Sequence, residues 1–234
     1  MLFVKRTLRR LWPAKRAEYY YFGKRGRKHA LEHRWADIAS IADFRPTDTV
    51  LDMGCADGLI SMQVARKVAH VHGVEPRPKR IERAKLEAAA SHLANVTFEV
   101  GSAESYPLEP NSYDVILLLG ILGKVPEPRS VLAKILHATR RQIILRVDLS
   151  AENAERGVDL ASILAVMDEC GFDGLCFPPS SRKHRTNELI IGNRRGAGAQ
   201  LRMVPPNVVI PTAHMSEHPC LKGASISDYT SSSV

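Results

Sequence analysis

Thr49-Val50-Leu51-Asp52-Met53-Gly54-Cys55-Ala56-Asp57-Gly58-Leu59-Ile60 begins as an apolar run and ends in a small-residue turn. A helical pattern follows at once, carried by Ile60, Met62, Val64, Ala65, Val68 and Ala69. The order is strand, tight turn, helix. In a doubly wound α/β sheet such a turn lies at the carboxyl end of a strand, where ligands bind. Small residues let a ligand approach the backbone, and the helix start offers N–H groups with no partner inside the helix.

The same alternation continues outward. His70 to Pro76 reads as a short strand ending in the acid Glu75. Residues 78–94, rich in Lys, Arg, Glu, Leu and Ala, read as a crossover helix, with Glu82 and Lys85 as an added pair of opposite charges. Val96 to Val100 is a third strand. Tyr113 to Leu119 is a continuous apolar run between turn residues, as expected of a central parallel strand buried on both faces. Ser130 to Arg140 reads as helix, Gln142 to Val147 as the fifth strand, and Leu160 to Cys170 as a helix capped by Gly171. Phe172 to Phe177 and Glu188 to Gly192 read as two last strands. Upstream, His29 to Ala42 reads as a helix that buries Leu31, Trp35, Ile38, Ile41 and Ala42.

Two nucleotide-binding frames compete for the turn. Read as G-x-G-x-x-G from Gly54, it puts Ala56 in the second position and Leu59 in the third, which fits poorly. Read as D-x-G-x-A-x-G, it uses Asp52, Gly54, Ala56 and Gly58. This resembles the first motif of the class I S-adenosylmethionine-dependent methyltransferases, D/E-x-G-x-G-x-G, with Ala56 for the middle glycine. The resemblance runs from about Asp43 to Arg194. It implies an α/β fold with a doubly wound, mostly parallel seven-stranded sheet and an antiparallel strand in the C-terminal hairpin. It also implies S-adenosyl-L-methionine as cofactor. Glu75 would accept hydrogen bonds from the ribose hydroxyls. Ser102 stands where the family has an acid facing the adenine amino group; a hydroxyl accepts such a bond more weakly. The implied cofactor-binding set is Asp52, Gly54, Cys55, Ala56, Gly58, Glu75, Pro76, Ser102, Ala103 and Leu119.

In the resembled family the loop after the fourth strand faces the methyl group. Here it reads Leu119-Gly120-Ile121-Leu122-Gly123-Lys124-Val125-Pro126-Glu127-Pro128. It has no N-P-P-Y, the motif of amino-methylating nucleic-acid enzymes, and no cysteine for carbon-5 pyrimidine chemistry. It resembles the small-molecule enzymes, in which His-His often stands where Gly123-Lys124 stands here. The catalytic base is therefore unassigned, with Lys124, His29 and His33 as candidates. Lys124 is also read as a surface lysine, His70 and His72 as packed strand residues, and Cys55 as a small apolar filler.

The chain has 234 residues and 44% hydrophobic content, enough for one large domain with extensions. Its longest apolar run, Val115 to Gly123, is well short of the roughly 20 residues of a membrane span. Cysteines at 55, 170, 176 and 220 form no C-x-x-C pair and suit a reducing, cytoplasmic compartment. The expected division is a basic arm over 1–28, a cofactor-binding domain over 29–194 and a loosely ordered tail over 195–234. His214, His218 and Cys220 in that tail have metal-like spacing, but no metal is expected. Residues 1–40 hold 11 Lys or Arg against 3 Asp or Glu, and residues 41–234 hold 22 of each sign, so the whole net charge of +8 belongs to the N-terminal end.

These features imply a methyltransferase acting on a small or lipid-linked acceptor, with O-methylation as the leading expectation. An RNA methyltransferase gripping its substrate with the arm and an inactive cofactor-binding scaffold are the alternatives. At helical spacing Val4, Leu8, Leu11 and Trp12 share one face of the arm, and Lys5, Arg6, Arg9 and Arg10 the other. This favours peripheral contact with an anionic membrane, the inner surface, over RNA, because phosphate contacts alone need no apolar face. Full-length protein should sediment with anionic vesicles and be released by salt. A chain lacking residues 1–16 should remain in solution while still binding cofactor.

Overall fold

The computed structural model describes residues 34–177 and 187–197. The arm, His29, His33 and the tail with His214, His218 and Cys220 lie outside the described residues.

A helix over residues 34–41 (α1) leads into β1, Thr49–Met53. Then come α2 Leu59–Ala65, β2 His70–Glu75, α3 Pro78–Ala90, β3 Val96–Val100 and β4 Tyr113–Leu119. A 3₁₀ turn over Leu122–Lys124 precedes α4 Pro128–Ala138 and β5 Thr139–Asp148. The chain continues through α5 Ala151–Glu155, α6 Leu160–Glu169, β6 Phe172–Phe177 and β7 Asn187–Arg194. The seven strands form one sheet in the order β3-β2-β1-β4-β5-β7-β6. All pairs are parallel except those made by β7, which runs antiparallel to both β5 and β6. The expected doubly wound sheet and its hairpin are both present.

Crossover helices force both faces of the central strands under cover, which explains the unbroken apolar run of β4. Val50, Val71, Val115, Leu117 and Ile144 pack on one face with α1, α2 and α3. Leu51, Val74, Ile116, Leu118, Ile143 and Leu145 pack on the other with α4 and α6. His72 shares that second face and is held between the Tyr113 hydroxyl, 2.9 Å from Nδ1, and Glu99, 3.4 Å from Nε2. Among the described residues no helix is long and apolar enough to cross a membrane.

Several boundaries differ from the sequence reading, most of all around β5. The helix read over Ser130 to Arg140 starts at Pro128 and stops at Ala138, and β5 starts at Thr139 rather than Gln142. Pro128 fits a first helical turn because it has no N–H to leave unpaired. Thr139, Arg140 and Arg141 are drawn into the strand by tertiary partners that local propensity cannot register. The short helix α5 has no buried residue, and so no apolar stripe to mark it.

Those partners knot the amino ends of the strands. The buried Arg141 guanidinium donates to Asp43 Oδ2 at 2.9 Å and to Asp48 Oδ2 at 2.6 Å. Asp48 also accepts the Arg45 backbone N–H at 2.7 Å, and Gln142 Oε1 accepts the N–H of Asp43 at 3.0 Å. The link between α1 and β1 is thereby fastened to β5. Removing one member of a buried ion network strands the others without water. Arg141→Met should therefore destabilise the protein by about 3–5 kcal/mol in urea unfolding, and a midpoint within error of wild type would contradict this account.

Candidate functional site

The turn after β1 closes over the end of β2. The N–H groups of Gly54 and Cys55 both donate to the Val74 carbonyl, at 2.7 and 3.0 Å. The next N–H, of Ala56, donates to Glu75 Oε2 at 3.2 Å. This path needs three left-handed residues, Gly54 at φ 84°, Ala56 at φ 55° and Gly58 at φ 74°. At Gly58 space is as restrictive as φ, because an added Cβ would stand 2.5 Å from the Phe98 ring.

Asp52 lies under the turn, 2% exposed, and its Oδ2 accepts from the Ser61 hydroxyl at 2.6 Å. It ties β1 to α2. Burial pushes its carboxyl up to about 6, with nearby Glu75 adding to the rise and the Ser61 bond opposing it. Glu75 is equally buried, at 2%. Its second oxygen, Oε1, accepts from Arg77 Nε at 2.5 Å, and the Arg77 side chain is mostly exposed. One buried carboxylate thus lies between a backbone N–H and a guanidinium free to swing outward. Asp57 pairs with Arg83 at 2.9 Å.

Other expected site residues fall around this centre. Cys55 is buried, and burial, aided by Asp52 and Glu75, pushes its thiol well up, so it stays protonated and packs. Pro76 is exposed between Glu75 and Arg77. Ser102 begins a turn, its Oγ 3.0 Å from that of Ser105. Ala103 is buried, and its carbonyl and that of Glu104 accept from Lys134 Nζ at 3.2 and 3.0 Å. Leu119 ends β4 beside Arg146 of β5. Lys124 is exposed at the end of the 3₁₀ turn.

Sequence reasoning missed Arg77 and Ile121. Arg77 has a signal in hindsight, a cation two positions after the strand-ending acid. Ile121 does not. Its Cδ1 would stand 2.2 Å from a Cβ on Gly54, so the β4 loop closes onto the β1 turn.

These features fit a nucleoside cofactor. A buried acid ends the second strand, and the turn beside it has glycine at 54 and 58, both at positive φ. The sequence matches the methyltransferase domain family over residues 45–171, more than half the chain. The chain belongs to the methyltransferase domain family. It is a class I, S-adenosylmethionine-dependent domain, and S-adenosyl-L-methionine is the cofactor of that domain.

Among similar proteins, a ubiquinone biosynthesis O-methyltransferase of Albidiferax ferrireducens is 30% identical over 121 residues, covering 43% of this chain and 47% of that protein. An uncharacterized RNA methyltransferase of Listeria monocytogenes is 35% identical over 95 residues, covering 41% of this chain and 20% of that protein. The chain thus spans less than half the length of these curated relatives. The structure of magnesium protoporphyrin IX methyltransferase from Synechocystis, with bound S-adenosylmethionine, superposes with TM-score 0.58 at 19% identity. It covers 72% of this chain and 80% of that one. That likeness is one of fold.

The methyltransferase turn holds Ala56 where the family motif has glycine, at a φ of 55° that costs an L-residue roughly 1–2 kcal/mol. Part of that strain is offset in Ala56→Gly by the greater freedom of the unfolded glycine chain. The variant should be neutral or up to about 1 kcal/mol more stable in urea, and should bind S-adenosylhomocysteine at least as tightly. Collapse of either quantity would mean that the turn is built differently.

Proposed function

We propose that this methyltransferase domain moves a methyl group from S-adenosylmethionine to an oxygen of a small or lipid-linked acceptor. The observation that carries the reading is the Glu75 carboxylate, buried at the end of β2 and facing the turn through the Ala56 N–H. A carboxylate there accepts from both hydroxyls of a ribose. Arg77 moves aside or shares the carboxylate when the ribose arrives. When bound, the cofactor supplies an electrophilic methyl group on a sulfonium. The chain's own task is then to hold the acceptor oxygen in line with that methyl, and positioning of this kind accounts for much of the rate.

Oxygen and a small acceptor are favoured by two observations. The β4 loop has neither N-P-P-Y nor cysteine. Several relatives are named as ubiquinone biosynthesis O-methyltransferases. RNA remains the second reading, favoured by the basic N-terminal end and by the RNA methyltransferase names among the relatives.

Calorimetry with S-adenosylhomocysteine tests the first half. Wild type should bind, and Glu75→Ala should bind at least tenfold more weakly, since each lost charge-assisted bond costs about 1.5–3 kcal/mol. Glu75→Gln, which keeps the shape, should fall between them. Equal affinity in all three would remove Glu75 from the site. Labelled methyl offered in parallel to RNA, lipid extract and small-molecule pools tests the second half, and label entering RNA alone would reverse the preference.

A further inference from the structure

Along the sheet the order β2, β1, β4, β5 sets out a sequence of tasks. Glu75 ends β2, the turn follows β1, and the loop that faces the methyl group follows β4. The next strand end, that of β5, is where an acceptor would lie. It carries two polar side chains, Arg146 and Asp148. Arg146 is paired in register with Leu119 of β4 on one side and Leu189 of β7 on the other, and its carbonyl accepts the Gly120 N–H at 2.7 Å. Side chains two apart on a strand share a face, so Arg146 and Asp148 point the same way as Ile144, toward α1.

Neither side chain finds a hydrogen-bond partner among the described residues. Arg146 is half-buried, and among the described residues its guanidinium makes no hydrogen bond, ion pair or ring contact. Burial pulls its pKa down, and Arg34 and Asp37 of α1 act on it with opposite signs. Asp148 turns Oδ1 inward, buried and without a hydrogen-bond partner among the described residues. Its backbone carbonyl is held by Asn153 Nδ2 at 2.8 Å, and Asn153 packs against Gly123 of the β4 loop. At the opposite, amino edge of the sheet the buried charges of the Arg141 knot are paired. Buried guanidinium and carboxylate groups are costly unless something pairs with them.

We propose that the end of β5 is the acceptor site, where Arg146 binds a carboxylate of the acceptor and Asp148 receives the proton of the hydroxyl being methylated. The proposal rests on the methyltransferase reading above and names its substrate class, a small hydroxylated carboxylic acid. The planar fork of arginine donates two parallel hydrogen bonds to a carboxylate. In the reaction the acceptor O–H bond breaks, with its proton passing to the Asp148 carboxylate. An oxygen–carbon bond forms as the carbon–sulfur bond breaks, and the electron pair leaves on sulfur in S-adenosylhomocysteine. Arg146 also places an anionic ring or chain beside Leu119, in the row that borders the methyl group.

The test uses full-length protein saturated with S-adenosylhomocysteine, titrated with 3,4-dihydroxybenzoate or with its neutral methyl ester. Wild type should bind the acid at least tenfold more tightly than the ester. Arg146→Leu should abolish that preference and leave S-adenosylhomocysteine binding unchanged, because its cross-strand neighbours are leucines. Arg146→Lys keeps the charge without the fork and should retain part of the preference. In turnover with S-adenosylmethionine, Asp148→Asn should lower kcat on the acid at least a hundredfold with KM nearly unchanged. Equal binding of acid and ester, failure of both to bind while S-adenosylhomocysteine binds, or an Arg146→Leu variant that keeps the preference would overturn the proposal alone. An unchanged kcat in Asp148→Asn would remove the proton-accepting role. Failure to bind S-adenosylhomocysteine would instead sink the methyltransferase reading from which it starts.

Discussion

The Glu75 carboxylate, sunk at the end of β2 and met by the Ala56 N–H, is the constraint on which the upper edge of the sheet depends. An acid this buried is tolerable only if its charge is met by donors. Here the donors are a backbone N–H from the turn and the Arg77 guanidinium. Meeting the first requires the turn to lie flat over β2, which in turn requires left-handed backbone at three positions and no side chain at Gly54 or Gly58. The burial of Asp52 and its bond to Ser61 follow, because the carboxylate lies beneath that same turn.

The two edges of the sheet treat charge in opposite ways. At the amino ends of the strands, Asp43, Asp48 and Asp114 are each paired with arginine, and the pairs fasten loops to strands. At the carboxyl ends, the Arg146 guanidinium and Asp148 Oδ1 have no hydrogen-bond partner among the described residues, and Glu75 is covered by an exposed arginine. The amino edge is thus fastened by ion pairs, whereas the carboxyl edge combines a strained turn with two side chains left open among the described residues. Ala56, held at positive φ, belongs to the strained edge.

The β4 loop joins the two strand ends that matter. Ile121 fills the space above Gly54, while Gly123 receives Asn153, which holds the Asp148 carbonyl. Arg156 donates to the carbonyls of Gly123 and Val125, at 2.5 and 2.7 Å, and so fixes the loop from the far side. Lys124 projects from this loop into solvent. Holding the loop in place therefore falls to the segment after β5 together with the loop's own buried Leu122 and Val125.

The sequence by itself determined which segments of the core are strands, the turn and its acid partner. Each is written in local signals: apolar runs for buried strands, small residues where the backbone must bend left, an acid closing the second strand. It also marked Asp52, which lies beneath the turn and accepts the Ser61 hydroxyl. Only the tertiary structure decided where β5 begins, because Arg141 and Gln142 find partners at Asp43, Asp48 and Asn193, 51 to 99 residues away. It alone placed Ile121 over Gly54 and set Arg146 beside Leu119. An arginine in a strand reads from sequence as a break in an apolar run. That it is half-buried and unpaired depends on neighbours brought from β4, β7 and α1, and no local pattern encodes which strands will stand side by side.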